Sequence, residues 1–234
     1  IIIVTELSKK VITFGCRLNN LESELIDQQL KQYSIDKNIF IFNTCAVTSE
    51  AERKARQSIR KIKKENPNAK IVVTGCSAQI DPNKWLQMEE VSNVIGNSEK
   101  TKKEFWKNFS QNKQNELITS DIMSVREDKT DFSGLVNKNS RYFLQIQNGC
   151  DHRCTFCVIP YGRGNSRSVS VNKILDNVNE ALQNNFKEIV LTGVDLTSWG
   201  KELLGVEYSL GFLVKKILNE FKTCLLYTSP SPRD

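Results

Sequence analysis

Cys150, Cys154 and Cys157 stand in the run Gln147-Asn148-Gly149-Cys150-Asp151-His152-Arg153-Cys154-Thr155-Phe156-Cys157, a Cys-x3-Cys-x2-Cys spacing. Three thiolates so spaced can hold three irons of a [4Fe–4S] cube and leave the fourth iron open to another ligand. A structural zinc site asks for four closed ligands, and this loop offers three. His152 lies between the ligands and is expected to point to solvent rather than complete such a site. Zinc and incidental thiols remain the plainer alternatives to a cluster.

A second set of cysteines is spread over the first hundred residues. Val11-Ile12-Thr13-Phe14 reads as a buried strand and runs into Gly15-Cys16. Ile39-Phe40-Ile41-Phe42 runs into Asn43-Thr44-Cys45, and Ile71-Val72-Val73 into Thr74-Gly75-Cys76. Helical stretches separate the three, so the order is strand, helix, strand, helix, strand, which implies a parallel sheet. Ligand crevices in such sheets lie at the carboxyl ends of the strands. All three cysteines fall there, where they can converge. Small buried thiols that merely close the strands are the alternative.

The elements around these residues follow from pattern. After Cys45, Ser49 and Glu52 suggest a capping box, and Asn66-Pro67 ends the helix. From Arg53 to Lys64 the helix carries seven basic residues and no acid. Arg53, Arg56, Arg60, Lys63 and Lys64 share one face, with Ala51, Ala55, Ile59 and Ile62 opposite. The basic face suits a phosphate backbone or, more plainly, solvent. A helix is expected between Ser98 and Phe109. Residues 110–139 turn polar and read as a linker, with one short strand near Leu117-Ile118. Arg141 to Gln147 then alternates as a strand leading into the cysteine loop. A helix follows Ser170, Ile189-Val190-Leu191 forms the next strand and ends at Thr192-Gly193, and a further helix spans Leu210 to Phe221. The domains expected are therefore 1–109, a linker 110–139, and a second domain 140–223.

Residues 224–234, from Cys224 to Asp234, continue neither a helix nor a strand and resemble translated sequencing adapter, so they are set apart as a non-native tail. Seven cysteines with no export signal argue for a reducing, cytoplasmic setting over a disulfide framework. No apolar run approaches a membrane span. The net charge of +6 permits a nucleic-acid partner without requiring one.

The cysteine loop resembles the radical S-adenosylmethionine (SAM) signature, with Phe156 as the aromatic before its last Cys. Gly15-Cys16, Asn43-Thr44-Cys45 and Thr74-Gly75-Cys76 resemble the amino-terminal domain of the methylthiotransferases. Asn43 to Thr48, Ala51 to Gln57 and Ile159 to Ser168 are most similar to the tRNA threonylcarbamoyladenosine methylthiotransferases. The resemblance implies an α/β fold: a Rossmann-like parallel-sheet domain, then the first part of a radical SAM barrel of partial TIM type. Family members continue through further barrel strands and a small RNA-binding β-domain, so the expectation is a C-terminally truncated fragment with an unpaired sheet edge.

The same resemblance implies two [4Fe–4S] clusters and SAM. Cys150, Cys154 and Cys157 would hold the cluster that binds SAM and generates a 5′-deoxyadenosyl radical. Cys16, Cys45 and Cys76 would hold an auxiliary cluster that carries or donates the sulfur. Phe156 and Gly193 are expected SAM contacts, a turn glycine being the plainer account of Gly193. Arg163 and Arg167 are expected to meet substrate phosphate or the SAM carboxylate, with surface solvation as the alternative. Arg53, Arg56, Arg60, Lys63 and Lys64 are the candidate tRNA face. The implied partners are tRNA and an electron donor such as flavodoxin or ferredoxin, with no membrane and a monomeric state. Relatives acting on isopentenyladenosine or a ribosomal protein share the cysteines. A non-enzymatic two-cluster electron carrier and a zinc-stabilised RNA-binding module are the readings from other classes.

Overall fold

The structure, a computed structural model, describes residues 3–6, 10–35, 38–111, 117–127, 130, 132, 141–203 and 208–227. The chain divides into two compact units, Ile1–Val125 with Arg153–Arg163, and Arg126–His152 with Gly164–Asp234.

The first unit is built on one sheet. Its strands are β1 (Ile3–Glu6), β2 (Val11–Gly15), β3 (Ile39–Thr44), β4 (Lys70–Gly75), β5 (Asn93–Ile95) and β6 (Leu117–Ile118), ordered as in the sequence. β1 pairs antiparallel with β2, and β2 to β6 are parallel. Strands β2, β3 and β4 are almost wholly buried, as expected of parallel strands covered on both faces. Helices α1 (Arg17–Gln32), α2 (Ser49–Glu65), α3 (Cys76–Ile80), α4 (Pro82–Leu86) and α5 (Lys103–Gln111) supply the cover. Val11, Ile41 and Val72 pack with Ile26 of α1 and Trp106 of α5. Ile12, Phe42 and Val73 point the other way, onto Ala51, Ala55 and Ile59 of α2 and Trp85 of α4. A further short helix, α6 (Ile159–Arg163), belongs to this unit.

The second unit has a parallel sheet in the order β11-β10-β7, from β7 (Arg141–Gln145), β10 (Glu188–Thr192) and β11 (Cys224–Tyr227). A two-stranded antiparallel ribbon joins β8 (Gln147–Asn148) to β9 (Arg167–Ser168). Helices α7 (Val171–Gln183) and α8 (Leu210–Glu220) complete it. Their apolar stripes close one core with Leu144, Ile189 and Leu191 from the sheet.

Three local expectations change. The cap of α2 is Thr48, whose hydroxyl accepts from Ala51 N at 3.2 Å, not Ser49, which is the first helical residue. The helix placed between Ser98 and Phe109 begins at Lys103. Cys224–Tyr227, expected to form no element, pairs in register with β10 as Glu188↔Cys224 through Leu191↔Tyr227. An open strand edge offers unpaired N–H and C=O groups to any extended segment that reaches it, whatever that segment's periodicity. Leu117–Ile118 is a strand as expected, joined to the sheet as β6. Residues 112–116, 128–129, 131 and 133–140 of the expected linker, and 228–234 of the expected tail, lie outside the described residues.

Candidate metal centres

The three cysteines of the first unit are placed by strand register. Thr13 pairs with Asn43 and Thr44 with Gly75. Continuing those ladders sets Gly15, Cys45 and Cys76 level, with Cys16 one step on. A Cβ on Gly15, whose φ is +114°, would lie 2.9 Å from the Cys45 sulfur, so only glycine leaves that side chain its path. Gly75, at φ +99°, is equally constrained, because a Cβ there would lie 2.2 Å from Thr44 O. Cys16 is the N-cap of α1 and Cys76 opens α3, so both sit where helix amides point outward.

Burial pushes the Cys45 thiol up to about 11, and the neighbouring Cys76 sulfur adds to the rise. Val47 N donates to Cys45 Sγ at 3.4 Å, and Asn97 Nδ2 lies 3.6 Å from Cys76 Sγ. Amide donors and close thiols of this kind suit an anionic cluster, whose potential such contacts tune. Among the described residues, no three or more His, Cys, Asp or Glu side chains are placed to share one metal ion. A cubane makes a different demand, since each thiolate meets its own iron. The donor set of soft sulfurs therefore fits an iron–sulfur cluster.

Beside these cysteines lies a buried ionic group that no sequence motif announces. The side chains of Glu22, Lys100 and Arg163 are 2%, 0% and 3% exposed. Lys100 Nζ stands 2.7 Å from Glu22 Oε2 and donates to Asn43 Oδ1 at 3.1 Å. Burial works to raise the Glu22 carboxyl, but the Arg163 guanidinium and Lys100 ammonium beside it hold it below the ordinary carboxylate value. Burial would also lower Arg163, yet the sulfurs of Cys76 and Cys16, with Glu22, keep it well above its usual value. Substrate phosphate or the SAM carboxylate is the partner expected for Arg163, with surface solvation as the alternative. The side chain is internal, because Glu22 and Asn19 capture it.

The loop cysteines fall in different surroundings. Cys150 belongs to the second unit, and Cys154 and Cys157 to the segment counted with the first. All three thiols are half-buried. In the second unit, Cys150 N donates to Gly164 O at 3.0 Å, and Gly149 has φ +74° with no room for a Cβ, which would lie 2.0 Å from Asn165 O. Gln147 fixes this corner. Its Oε1 accepts from Val194 N and Asp195 N at 2.9 Å each, and its Nε2 donates to Gly149 O at 2.6 Å and Ser166 Oγ at 3.0 Å. One side chain thus ties the start of the cysteine loop to the turn after β10. Gly193 opens that turn, and a Cβ on it would lie 2.6 Å from Leu196 Cδ2 and 3.0 Å from Gln147 Oε1. His152 is largely exposed, as expected, with Nε2 at 3.2 Å from Asp195 Oδ2. Arg167 is buried and donates to Asn165 O at 2.7 Å. Cys157 N closes a turn onto Cys154 O at 3.0 Å, and Phe156 between them is 69% exposed.

The basic face of α2 is present but largely engaged. Arg53 donates twice to Glu50 at 2.7 Å, and Arg56 to Glu52 at 3.0 Å while its guanidinium sits 4.9 Å from the Trp85 ring centre. Arg60 pairs with Glu90 at 3.7 Å, and Lys63 donates to Ala69 O at 2.8 Å. Lys64 is exposed. The acids lie just outside the run from Arg53 to Lys64, in the first turn and beyond α4, so a count over that run misses them.

Comparison with known proteins draws these parts together. Residues 9–96 match the family described as "Uncharacterized protein family UPF0004", and residues 144–232 the radical SAM superfamily. The threonylcarbamoyladenosine tRNA methylthiotransferase of Rickettsia prowazekii is 46% identical over 93% of the chain and 50% of its own length. The tRNA-2-methylthio-N(6)-dimethylallyladenosine synthase of Pelagibacter ubique is 30% identical over 95% of the chain and 53% of its length. The chain thus spans about half the length of the curated relatives it matches. A radical S-adenosylmethionine methyltransferase from Kitasatospora setae aligns over 93% of this chain and 48% of its own, with a TM-score of 0.56 and 13% identity, a likeness of fold. No helix among the described residues is long and apolar enough to cross a membrane. With an amino-terminal sheet of one matched family and a carboxy-terminal region of the other in a single polypeptide, the chain belongs to the radical SAM methylthiotransferase family.

Proposed function

We propose that the protein modifies tRNA, inserting sulfur and adding a methyl group at C2 of an N6-threonylcarbamoyladenosine beside the anticodon. The observation that carries this reading is the set of Cys16, Cys45 and Cys76 at one edge of a parallel sheet, separate from a complete Cys-x3-Cys-x2-Cys motif in the same chain. A reaction that joins sulfur to an unactivated carbon needs both a radical source and a sulfur source, and two cysteine sets match two such demands. The similarity to the Rickettsia relative, whose name states that nucleoside, supports the choice of substrate.

In this reading Cys150, Cys154 and Cys157 hold one [4Fe–4S] cluster, and Cys16, Cys45 and Cys76 hold the auxiliary one. When bound, the clusters and SAM supply electron transfer, a carbon-centred radical and a site for sulfur. The chain's own part is position and exclusion of water. Gln147 holds the entry to the cysteine loop and the turn after β10 at one spacing. Phe156, 69% exposed, and the turn at Gly193 would each be available to contact SAM when it binds. Arg53, Arg56, Arg60 and Lys63 meet the tRNA backbone by exchanging their internal partners for phosphate, and exposed Lys64 joins them.

The test is anaerobic reconstitution of the full-length protein, counting iron and then assaying tRNA nucleosides by mass. About eight irons, falling to about four in a Cys16→Ala/Cys45→Ala/Cys76→Ala variant, is the expected result for two cubanes. The parent should add a methylthio group to threonylcarbamoyladenosine. Addition to isopentenyladenosine or to a ribosomal protein instead would move the substrate within the family. SAM cleavage absent from a fully loaded protein would leave an electron carrier.

A further inference from the structure

Arg163 closes α6, the short helix that follows the Cys-x3-Cys-x2-Cys motif, yet its side chain serves the other cysteine set. Its guanidinium donates to both Glu22 carboxylate oxygens, at 3.0 Å to Oε2, and to Asn19 Oδ1. Such a fork fixes geometry as well as charge. Asn19 Nδ2 in turn donates to Phe14 O at 2.8 Å and Thr44 O at 3.0 Å, carbonyls at the ends of the strands that lead into Cys16 and Cys45. Glu22 and Asn19 both lie on α1, which starts directly after Cys16.

The neighbouring residue reaches the third cysteine. A Cβ on Gly162 would lie 3.0 Å from Cys76 Cβ, so α6 packs directly against that residue. Gly162 O accepts from Asn97 Nδ2 at 2.5 Å, and the same nitrogen lies 3.6 Å from Cys76 Sγ. One short helix is therefore fastened to the supports of Cys16, Cys45 and Cys76 alike.

Hydrogen bonds alone do not require a cation here, and burying one carries a desolvation cost that only close anions offset. Glu22 is one such anion, and the Cys76 and Cys16 sulfurs are near enough to act electrostatically on the same guanidinium. A positive charge in a low-dielectric interior favours whichever state of a neighbouring cluster is more negative, which is the reduced one. We propose that Arg163 is a positioning residue of the three-cysteine site, fixing its strand ends through Asn19 and Glu22 and, with Lys100, raising the reduction potential of the cluster held there. This rests on the reading that Cys16, Cys45 and Cys76 hold a cluster.

The experiment uses the full-length protein in a Cys150→Ala/Cys154→Ala/Cys157→Ala background, so that the auxiliary cluster is observed by itself. Arg163→Gln and Arg163→Lys are compared with that background by iron count and by electron paramagnetic resonance during a potentiometric titration. At the background's midpoint, Arg163→Gln should show about a tenfold lower ratio of reduced to oxidised cluster, about 59 mV for one electron. Arg163→Lys, which keeps the charge, should stay within about threefold, as its smaller change in the same term requires. A merely structural arginine would leave the potential of loaded protein unmoved, and equal potentials in Arg163→Gln and background overturn the proposal. Should Arg163→Gln not fold, Lys100→Met decides: a shift in the same direction supports the proposal, and an unchanged potential overturns it. A background that binds no iron overturns both this inference and the cluster reading beneath it, and the iron count tells that failure from the other.

Discussion

The two cysteine sets are brought into place by opposite means. Cys16, Cys45 and Cys76 are far apart in sequence and are gathered by a rigid sheet, with glycines at positive φ, an asparagine bridge and buried charges packed around them. Cys150, Cys154 and Cys157 are close in sequence, lie outside regular helix and strand, and stay half-buried. Where the chain supplies proximity by spacing, the fold has to add only a few ties, such as Gln147. Where spacing supplies none, the fold has to specify the site through its core. The difference predicts that the first site fails with the fold, and the second fails locally.

The strongest way to break that contrast is Gly75→Ala. A Cβ would strike Thr44 main chain at 2.2 Å in a residue already at φ +99°, at the end of the central ladder. We expect a loss of about 3 kcal/mol or more, near the upper range for single substitutions, and a fall in Tm of about 6–12 °C for a chain of this size. A Tm within 2 °C of the parent, on that same scale of about 2–4 °C per kcal/mol, would show the strand-end site to be as forgiving as a loop.

Gln147→Ala tests the other half. It leaves Val194 N, Asp195 N and the Gly149 carbonyl without their partner, which costs about 1–3 kcal/mol by unsatisfied burial. Iron held by Cys150, Cys154 and Cys157 should fall while iron held by the strand-end set is kept, as read in the two triple-alanine backgrounds. Equal loss from both sets would erase the distinction.

The smallest effect belongs to the helix face. Because Arg53, Arg60 and Lys63 already have internal partners, a single Arg60→Gln change should weaken tRNA binding only about threefold and reduce the salt slope by at most about one unit, the share of one phosphate contact. A loss of a hundredfold in a filter-binding assay would make that face a primary RNA contact.

Strands and helices were legible because runs such as Ile39-Phe40-Ile41-Phe42 and the stripe Ala51, Ala55, Ile59 carry the two periodicities of buried strand and one-sided helix. The cysteine sets were legible from spacing and from their place after such runs. The Glu22–Arg163 pair was not, since its partners are 141 positions apart and each alone looks like a surface charge. Gln147 was hidden for another reason, because a buried glutamine reads as one more alternating polar residue. Nor was β11, whose pairing comes from the waiting edge of β10 rather than from any pattern of its own.

The ladders Thr13↔Asn43 and Thr44↔Gly75 also say how this site tolerates inheritance. The ladder is written in main chain, so lineages can exchange most core side chains for others of similar bulk and leave the cysteines level. Connections between strands can lengthen or shorten at little cost, since closure entropy grows slowly with length. A single codon lost inside Ile39–Thr44 is another matter, because it turns every following side chain to the opposite face and carries Cys45 away from its neighbours.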